Sequence, residues 1–415
     1  TYLGGLKDDA AFRLALDPAG CAYVTGAESS EDFPSTPGGI NRGGVFKSAD
    51  AGSFWRTSGA GITHTIVEAL TFDPTNSSVL YAGTLRGVFR TADAGAVWES
   101  RNAGLSNSIV HALAFDPAAR TIYAGTGRGV FISTHAGLGW SGSANGLGTR
   151  AVFALAVAPG APSTALAGTH GSGIYRSTND ALSWKSANSG LGNFNVNAVA
   201  VQPGNSQVIY AGTDGGVYKS TNNGASWRGS STGLVTKKSQ ALAIDPTAPE
   251  TLYVGTTKGF FKSFDAGANW SLLGAGLIWS NVTALAIDPS ATSMLYAGTT
   301  NGLFKSTDGG VTWIASSAGL APLYVKTILV DPVSNTTLYA GIRSSNTFGG
   351  SNDVFLTKFL PAGSDLAYSV TFGGKKADQG WGVAVDASGR AVVTGSTDST
   401  NFPVVNASTP QQTTN

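Results

Sequence analysis

The chain is long enough for two or more domains, yet its low charge argues against several kinds of function. Of its 415 residues, 42% are hydrophobic and 12% are charged, and the net charge is +1; typical soluble domains carry about 25% charged residues. Lys and Arg form no block that would capture nucleic acid, and the longest purely apolar run, residues 151–158, is too short to span a membrane. The single cysteine excludes an internal disulfide. A polar, weakly charged surface predicts an extracellular or matrix protein.

The first segment, residues 1–43, contains short apolar runs separated by turn residues. They are Thr1–Gly5, Leu14–Gly20, Ala22–Gly26 and Asp32–Pro34. Runs of this length, bounded by Gly, Pro and Asp, predict β-strands. The segment has neither a starting Met nor a signal peptide pattern, so we expect a mature product or a piece of a longer chain.

A periodic block follows, marked by seven of the nine tryptophans. They stand 42 to 44 residues apart, at Trp55, Trp98, Trp140, Trp184, Trp227, Trp270 and Trp313. One unit contains four runs of strand length, residues 282–289, 294–299, 302–306 and 311–314, and none of them has a helical period. A four-stranded unit of about 43 residues predicts one blade of a β-propeller.

The turn before each tryptophan carries the most specific motif, Ser/Thr-x-Asp-x-Gly-x-x-Trp. Its acidic or amide position is occupied by Asp50, Asp93, His135, Asn179, Asn222, Asp265 and Asp308. A short polar side chain there can accept backbone N–H bonds within the turn, and the tryptophan is expected to bury its ring over the hairpin. The frame resembles the Asp-box, or BNR, repeat of sialidases, sortilin-type receptors and xyloglucanases. That resemblance implies that the turns are structural and lie away from a catalytic centre. His135 then occupies the acidic position in a diverged copy of the motif.

The C-terminal segment repeats the apolar runs of the N-terminal one. It contains Val370–Gly374, Val383–Gly389, Val392–Gly395 and Asn401–Pro403. Both segments resemble the SBBP family of bacterial propeller-like repeats. In that family, the Phe-Pro loop is followed by a strand similar to residues 353–359 of this chain. Here that strand appears only after the tryptophan block, so we interpret the block as an insertion into one SBBP repeat.

The insertion predicts three segments: residues 1–43 and 344–415 as two parts of one SBBP-type β unit, and residues 44–343 as the propeller. The block begins with a third and fourth strand (44–57) and ends with a first and second strand (325–342), which would complete one blade and close the ring. The predicted fold class is therefore all-β, a seven-bladed propeller plus a smaller, incomplete β unit. The alternative is a single ring of eight or more blades in series. The insertion requires strands 44–48 and 337–342 to share one sheet.

No catalytic residue, metal site or cofactor is predicted. The nearly constant period leaves no room for long catalytic loops, the Arg-Ile-Pro phrase of sialidases is absent, and no pair of carboxylates suits glycoside hydrolysis. The four histidines lack metal-binding spacing. Asp8, Asp9 and Asp378 recur near Gly-Gly turns and are of a type that binds calcium, but a turn or surface role accounts for them better. Arg86, Arg128 and Arg176 fall near one blade position, where a rim of arginines could bind a polyanion.

The resulting hypothesis is a non-enzymatic bacterial protein that is secreted or held at the cell surface and acts as a structural or adhesive module. Unpaired terminal strands would pair with the rest of a longer chain or with another copy, head to tail, into a fibre. The alternatives are a carbohydrate-binding or glycoside-hydrolase-like propeller, and a receptor-like propeller that binds peptides. Glycan or protein partners are compatible with these alternatives; nucleic acid and a membrane span are not expected.

Overall fold

The chain contains two compact units, one formed by residues 1–42 and 346–415 and the other by residues 43–345. A computed structural model describes residues 43–58, 60–62, 66–116, 120–143, 145–158, 163–317 and 323–344, and outside these ranges the backbone of six further strands. Every regular element in the described ranges is a β-strand, so they contain no helix that could cross a membrane.

The larger unit contains seven four-stranded antiparallel sheets, here called blades I to VII. Blade I contains Val67–Asp73, Asn76–Thr84, Gly87–Thr91 and Glu99–Ser100; blade II contains Val110–Asp116, Thr121–Thr126, Gly129–Ser133 and Ser141–Gly142. Blade III contains Val152–Ala158, Thr164–Thr169, Ile174–Ser177 and Lys185–Ser186; blade IV contains Val196–Val201, Ile209–Thr213, Gly216–Ser220 and Arg228–Gly229. Blade V contains Ser239–Ile244, Leu252–Thr256, Gly259–Ser263 and Ser271–Leu273; blade VI contains Val282–Ile287, Leu295–Thr299, Gly302–Ser306 and Ile314–Ala315.

Blade VII combines strands from the two ends of the block. Leu323–Val330 and Leu338–Ser344 supply its first and second strands, and Gly43–Ser48 and Arg56–Thr57 supply its third and fourth. Val45 pairs with Gly341, and Phe46 pairs with Ala340, so the strand pairing required by the insertion is present. The first strands of neighbouring blades contact one another in a closed circle of seven. These observations confirm the predicted seven-bladed, all-β propeller, closed by strands from both ends.

Close packing between blades explains why the second strands repeat Ala-Gly-Thr. The second strand is buried along almost its whole length because neighbouring blades cover both of its faces. A Cβ atom on Gly125 would lie 2.8 Å from Val152 Cγ1 of the next blade, and one on Gly298 would lie 2.7 Å from Val325 Cγ1. Glycine is therefore required where the first strand of the next blade approaches most closely.

In the smaller unit, the six strands that the structure describes form one four-stranded sheet and one two-stranded sheet. The four-stranded sheet has the order Ala10–Leu16, Ala22–Glu28, Asp353–Phe359 and Leu366–Phe372, and therefore joins strands from both ends of the chain. Asp378–Val385 pairs with Ala391–Thr397 in the second sheet. The predicted strand at residues 1–5 lies outside the described residues, as do Asp8, Asp9 and the side chain of Asp378.

Candidate functional site

Most polar groups of the tryptophan turns form hydrogen bonds within the turn. The tryptophan turns are the seven turns that end at Trp55, Trp98, Trp140, Trp184, Trp227, Trp270 and Trp313. In the last one, Asp308 Oδ1 accepts N–H bonds from Val311 and Thr312, both at 3.0 Å. The hydroxyl of Ser306 donates to the same oxygen at 2.8 Å and accepts the N–H of Gly310 at 2.9 Å. The hydroxyl and N–H of Thr312, with these further donors, lower the pKa of Asp308 to about 2. This carboxylate is occupied by its own turn.

The same bond recurs in six of the seven turns. The acceptor and the N–H donor four residues later are Asp50 and Phe54, Asp93 and Val97, Asn179 and Ser183, Asn222 and Ser226, Asp265 and Asn269, and Asp308 and Thr312. His135 differs, since its Nδ1 lies 2.9 Å from the Thr134 hydroxyl. The turns therefore have a local structural use for their acidic and amide residues.

The tryptophans lie against the glycine of their own turn and also connect neighbouring blades. A Cβ atom on Gly267 would lie 3.7 Å from Trp270 Cζ2. Trp270 Nε1 donates to the carbonyl of Ser230 in the preceding blade at 2.7 Å, and its backbone N–H donates to the carbonyl of Thr232 at 2.8 Å. Trp313 Nε1 instead bonds within its own turn, to Gly310. Trp98 Nε1 is buried with no hydrogen-bond partner among the described residues.

The three predicted rim arginines do not share one position. Arg86 and Arg128 are exposed in the turn between the second and third strands of blades I and II. Arg176 lies within the third strand of blade III and is half-buried; its Nε donates to the carbonyl of Asn223 in the next blade at 2.6 Å. Lys219 and Lys262 make the equivalent bond in blades IV and V. Arg176 thus belongs with the cations that join blades.

Every blade has a β-bulge at the start of its first strand. In blade VI, Val282 pairs with Thr299 and Ala284 pairs with Gly298, so Thr283 is the extra residue. A bulge breaks the strand pairing and redirects a side chain, and bulges are frequent at the rims of β structures next to functional sites. The seven extra residues, here called the bulge ring, are half-buried. They are Glu68, His111, Phe153, Asn197, Gln240, Thr283 and Lys326.

Bulge-ring residues contact their neighbours from one blade to the next. The ring centroids of His111 and Phe153 lie 4.4 Å apart, and Phe153 stacks on His170 at 3.9 Å. Burial, the largest influence, lowers the pKa of His111, and the charge of Lys326 acts in the same direction. The neutral form of His111, which stacks without a charge, is therefore favoured.

Polar contacts continue this chain of contacts through the following blades. Asn197 Oδ1 lies 3.1 Å from His170 Nε2, and Asn197 Nδ2 donates to Asp214 at 3.0 Å. Gln240 Nε2 donates to Asn281 at 2.7 Å. Lys326 and Glu68 form an ion pair of 3.0 Å across the junction of blades VII and I. The bulge ring is therefore an ordered surface built from all seven blades.

The bulge ring and the tryptophan turns lie at opposite ends of the blades. The third strand of blade I starts at Gly87, whose partner Thr84 pairs with Val67 beside the bulge, and it ends at Thr91, where the tryptophan turn begins. Arg86 and Arg128 are at the bulge end. We call the bulge ring, the turns between second and third strands, and the four residues before each first strand the bulge rim.

Sequence reasoning missed the bulge ring, although the repeats contain a signal for it. The first strand reads Val-x-Ala in five of the seven blades, and x is the bulge residue. This position is acidic, basic, aromatic, amide or hydroxyl from one blade to the next, while the residues on either side hardly change. Repeat proteins commonly bind through a surface to which every repeat contributes an equivalent position.

The carboxylates of the bulge rim do not suit acid–base catalysis. Glu68 is paired with Lys326, and Asp214 lies 3.5 Å from Lys238. Burial by itself raises the pKa of Asp214, but hydrogen bonds from Asn197 and Asn195 and the charge of Lys238 outweigh it and hold the pKa below its usual value. A glycosidase needs a carboxylic acid with a raised pKa facing a second carboxylate. Among the described residues, no group of three or more His, Cys, Asp or Glu could hold a metal ion.

No protein-family model and no curated protein matches the chain. Its structure is similar to that of an ancestral GH74 enzyme, with a TM-score of 0.56 and 17% identity over 85% of this chain and 50% of that one. It is also similar to the extracellular domain of BT4673 from B. thetaiotaomicron (TM-score 0.53, 16% identity, 79% of this chain and 49% of that one). A third similar structure is YCF48 bound to D1 peptide (TM-score 0.53, 15% identity, 77% of this chain and 96% of that one). The chain thus spans about half the length of the first two, and at these identities the similarities show one thing, the β-propeller fold.

Proposed function

We propose that this protein is a non-enzymatic, extracellular binding module of a structural or adhesive kind, and that the bulge rim is its contact surface. One observation carries the proposal: the residue held at the rim by a bulge is different in all seven blades, whereas the residues on either side of it hardly change. A residue that differs among otherwise similar repeats serves something other than the shared packing. The extracellular location is supported by the low charge and by the fold shared with an extracellular domain.

The identity of the repeats is part of this proposal. The Ser/Thr-x-Asp-x-Gly-x-x-Trp turns, with their repeated carboxylate-to-amide bonds, support an assignment to Asp-box repeats. The strand order of the smaller unit, in which Ala22–Glu28 pairs with Asp353–Phe359, supports a split SBBP repeat. Self-assembly through terminal strands is a second, separable part, supported by the two-stranded sheet whose strands pair with no other described strand. Sedimentation velocity of the full chain tests it, and a monomer at every concentration would refute it.

A screen against immobilised extracellular polysaccharides and peptides tests the binding function. Hits are measured again with a bulge-ring variant, Gln240→Ala with Thr283→Val, and with a control at the opposite end of the blades, Leu182→Ala with Val333→Ala. Leu182 and Val333 are 71% and 83% exposed, so the control should fold normally. We expect the bulge-ring variant alone to lose binding. The proposal is wrong if hits depend on the control residues and not on the bulge ring.

Two other functions are tested by the same screen. Glycoside hydrolysis, as in a structurally similar GH74 xyloglucanase, would release reducing ends from xyloglucan. The paired state of Glu68 and Asp214 leads us to expect no such release. Peptide binding, as in YCF48 with its D1 peptide, would appear as peptide hits that depend on the bulge ring.

A further inference from the structure

The bulge rim has a surplus of positive charge that the rest of the chain balances. The described part of the rim contains seven Lys and Arg side chains and two carboxylates, a surplus of five, whereas the whole chain carries +1. The cations are Arg86, Arg128, Arg150, Lys237, Lys238, Lys258 and Lys326. Both carboxylates are already paired, Glu68 with Lys326 and Asp214 with Lys238. The surplus therefore remains available to an anionic ligand.

An exposed tryptophan lies within this positive rim, in a backbone conformation that does not suit it. Trp279, in the loop between blades V and VI, is 68% exposed and has φ of +67°. The N–H of Ser280 donates to the carbonyl of Leu277 at 3.0 Å, which places Trp279 at the turn position where glycine is favoured. A bulky residue with positive φ is an outlier, and such strain is concentrated at functional sites. Because its side chain is largely exposed, packing in the core does not explain why a tryptophan occupies this position.

Lys258 lies beside this indole. Its Nζ is 5.9 Å from the centre of the Trp279 ring, and it is exposed in the turn between the second and third strands of blade V. The loop also contains Asn281, whose Oδ1 accepts from Gln240 Nε2 of the bulge ring at 2.7 Å. An aromatic face and an ammonium group are therefore side by side, in a loop that also carries an amide.

We propose that Trp279 and Lys258 form a binding subsite for a hexuronate unit of an acidic polysaccharide; this inference rests on the proposed function of the bulge rim. A hexuronate has a C–H face that packs on an indole, a carboxylate that pairs with an ammonium group, and hydroxyls that bond to amides. The cations around the rim are spread over several blades, as suits a polymer whose charges are separated by sugar rings. Duplex nucleic acid would require a more clustered basic surface.

Binding of the full chain to polygalacturonate tests the proposal, with fully methyl-esterified polygalacturonate as the matched neutral polymer. We expect binding of the acidic form to exceed that of the ester at least about tenfold and to weaken as salt is raised. Equal binding of both forms would overturn the charge requirement. Equally tight binding of single-stranded DNA would overturn the sugar requirement.

Two variants separate a binding role from a structural one. Trp279→Gly places the preferred residue at a positive φ, so we expect an unchanged or higher melting temperature together with an approximately tenfold or greater loss of binding. Lys258→Gln should reduce affinity and also the salt dependence, whereas Lys185→Gln, an exposed lysine on the outer strand of blade III, should change neither. Retained binding in Trp279→Gly would refute the subsite. If polygalacturonate fails to bind while other ligands of the screen depend on the bulge ring, the subsite proposal fails and the proposed function remains.

Discussion

Trp98 and Trp270 allow one hydrogen bond between blades to be measured within a single molecule. They occupy equivalent positions in two blades and are 3% and 4% exposed. Trp270 Nε1 donates to the carbonyl of Ser230 at 2.7 Å, whereas Trp98 Nε1 is buried without a partner among the described residues. Phenylalanine at the two positions therefore removes a satisfied donor in one case and an unsatisfied donor in the other.

The expected difference follows from the carbonyl that is left behind. Both substitutions remove a similar area of ring, so the loss of packing largely cancels when they are compared. Trp270→Phe leaves a buried carbonyl unpaired, which costs about 1–3 kcal/mol. Trp98→Phe leaves no such group and removes a donor that was already unfavourable. We expect Trp270→Phe to lower the free energy of unfolding by about 1–3 kcal/mol more than Trp98→Phe does.

Urea unfolding of the two variants and the wild-type protein, followed by far-UV circular dichroism, measures this difference. Thermal unfolding provides a second measurement, since 1 kcal/mol corresponds to about 2–4 °C in domains of 150–250 residues. Equal losses for the two variants would show that the indole N–H contributes nothing between blades. The inference that tryptophans join blades by hydrogen bonds would then be refuted, leaving packing alone.

Three further predictions concern the turns and the rim. Gly267→Ala should lower the free energy of unfolding by about 2 kcal/mol or more, because the site combines a φ of +83° with a Cβ position 2.7 Å from Ser230 Oγ. Gly204→Ala has a φ of +74° and no atom within 4 Å of its Cβ position. It should lower the free energy of unfolding only by the backbone strain, about 1–2 kcal/mol. Unfolding in urea compares the two glycine variants, and equal losses would contradict the proposed clash. In an NMR pH titration, the amide chemical shift of Thr312 should change with a midpoint near pH 2, because this amide donates to the Asp308 carboxylate, whose pKa is lowered from 3.8 to about 2. The amide of Ser226 donates to Asn222, which does not titrate, so its chemical shift should stay constant and serves as the control. The sign follows from linkage: a lowered pKa makes the Asp308 contribution to stability complete above pH 3.8 and lost as the pH falls through 2. A double-mutant cycle of Glu68→Gln and Lys326→Met should give a coupling energy of about 1 kcal/mol, typical of a partly exposed pair; additive effects would show that the 3.0 Å contact is energetically neutral.

The blade count and the closure of the ring could be predicted because they depend on local signals that recur. Each tryptophan marks one blade, and the incomplete halves at 44–57 and 325–342 can complete a sheet only with each other. Arg176 was misplaced for a physical reason. Arg86 lies two residues after Thr84, in the turn, whereas Arg176 lies seven residues after Thr169. Strand pairing places Arg176 opposite Leu166, just as Arg90 lies opposite Tyr81, and so within the third strand.

The bulge ring could not be located from periodicity because a bulge is a property of pairing between two strands. The sequence Val-Thr-Ala at 282–284 is compatible with regular alternation, and only the register against Gly298 and Thr299 shows that Thr283 is unpaired. The hydrogen bonds from tryptophan to the preceding blade were inaccessible for the same reason. The carbonyl of Ser230, which accepts from Trp270, belongs to the preceding blade, and its position is fixed by how the blades pack.

The arrangement of the blades explains how one rim can vary while the fold stays constant. At one end, most tryptophan turns bond their polar groups internally and contact the preceding blade, as Trp270 contacts Ser230, so a change there disturbs two blades at once. At the other end, the bulge residue lies outside the strand pairing, while the valine before it packs against the glycine of the preceding blade. Glu68, Phe153 and Thr283 can therefore differ in size and charge without altering that packing. A scaffold built in this way tolerates new side chains at the bulge rim at little cost in stability, which is the property that a binding surface requires.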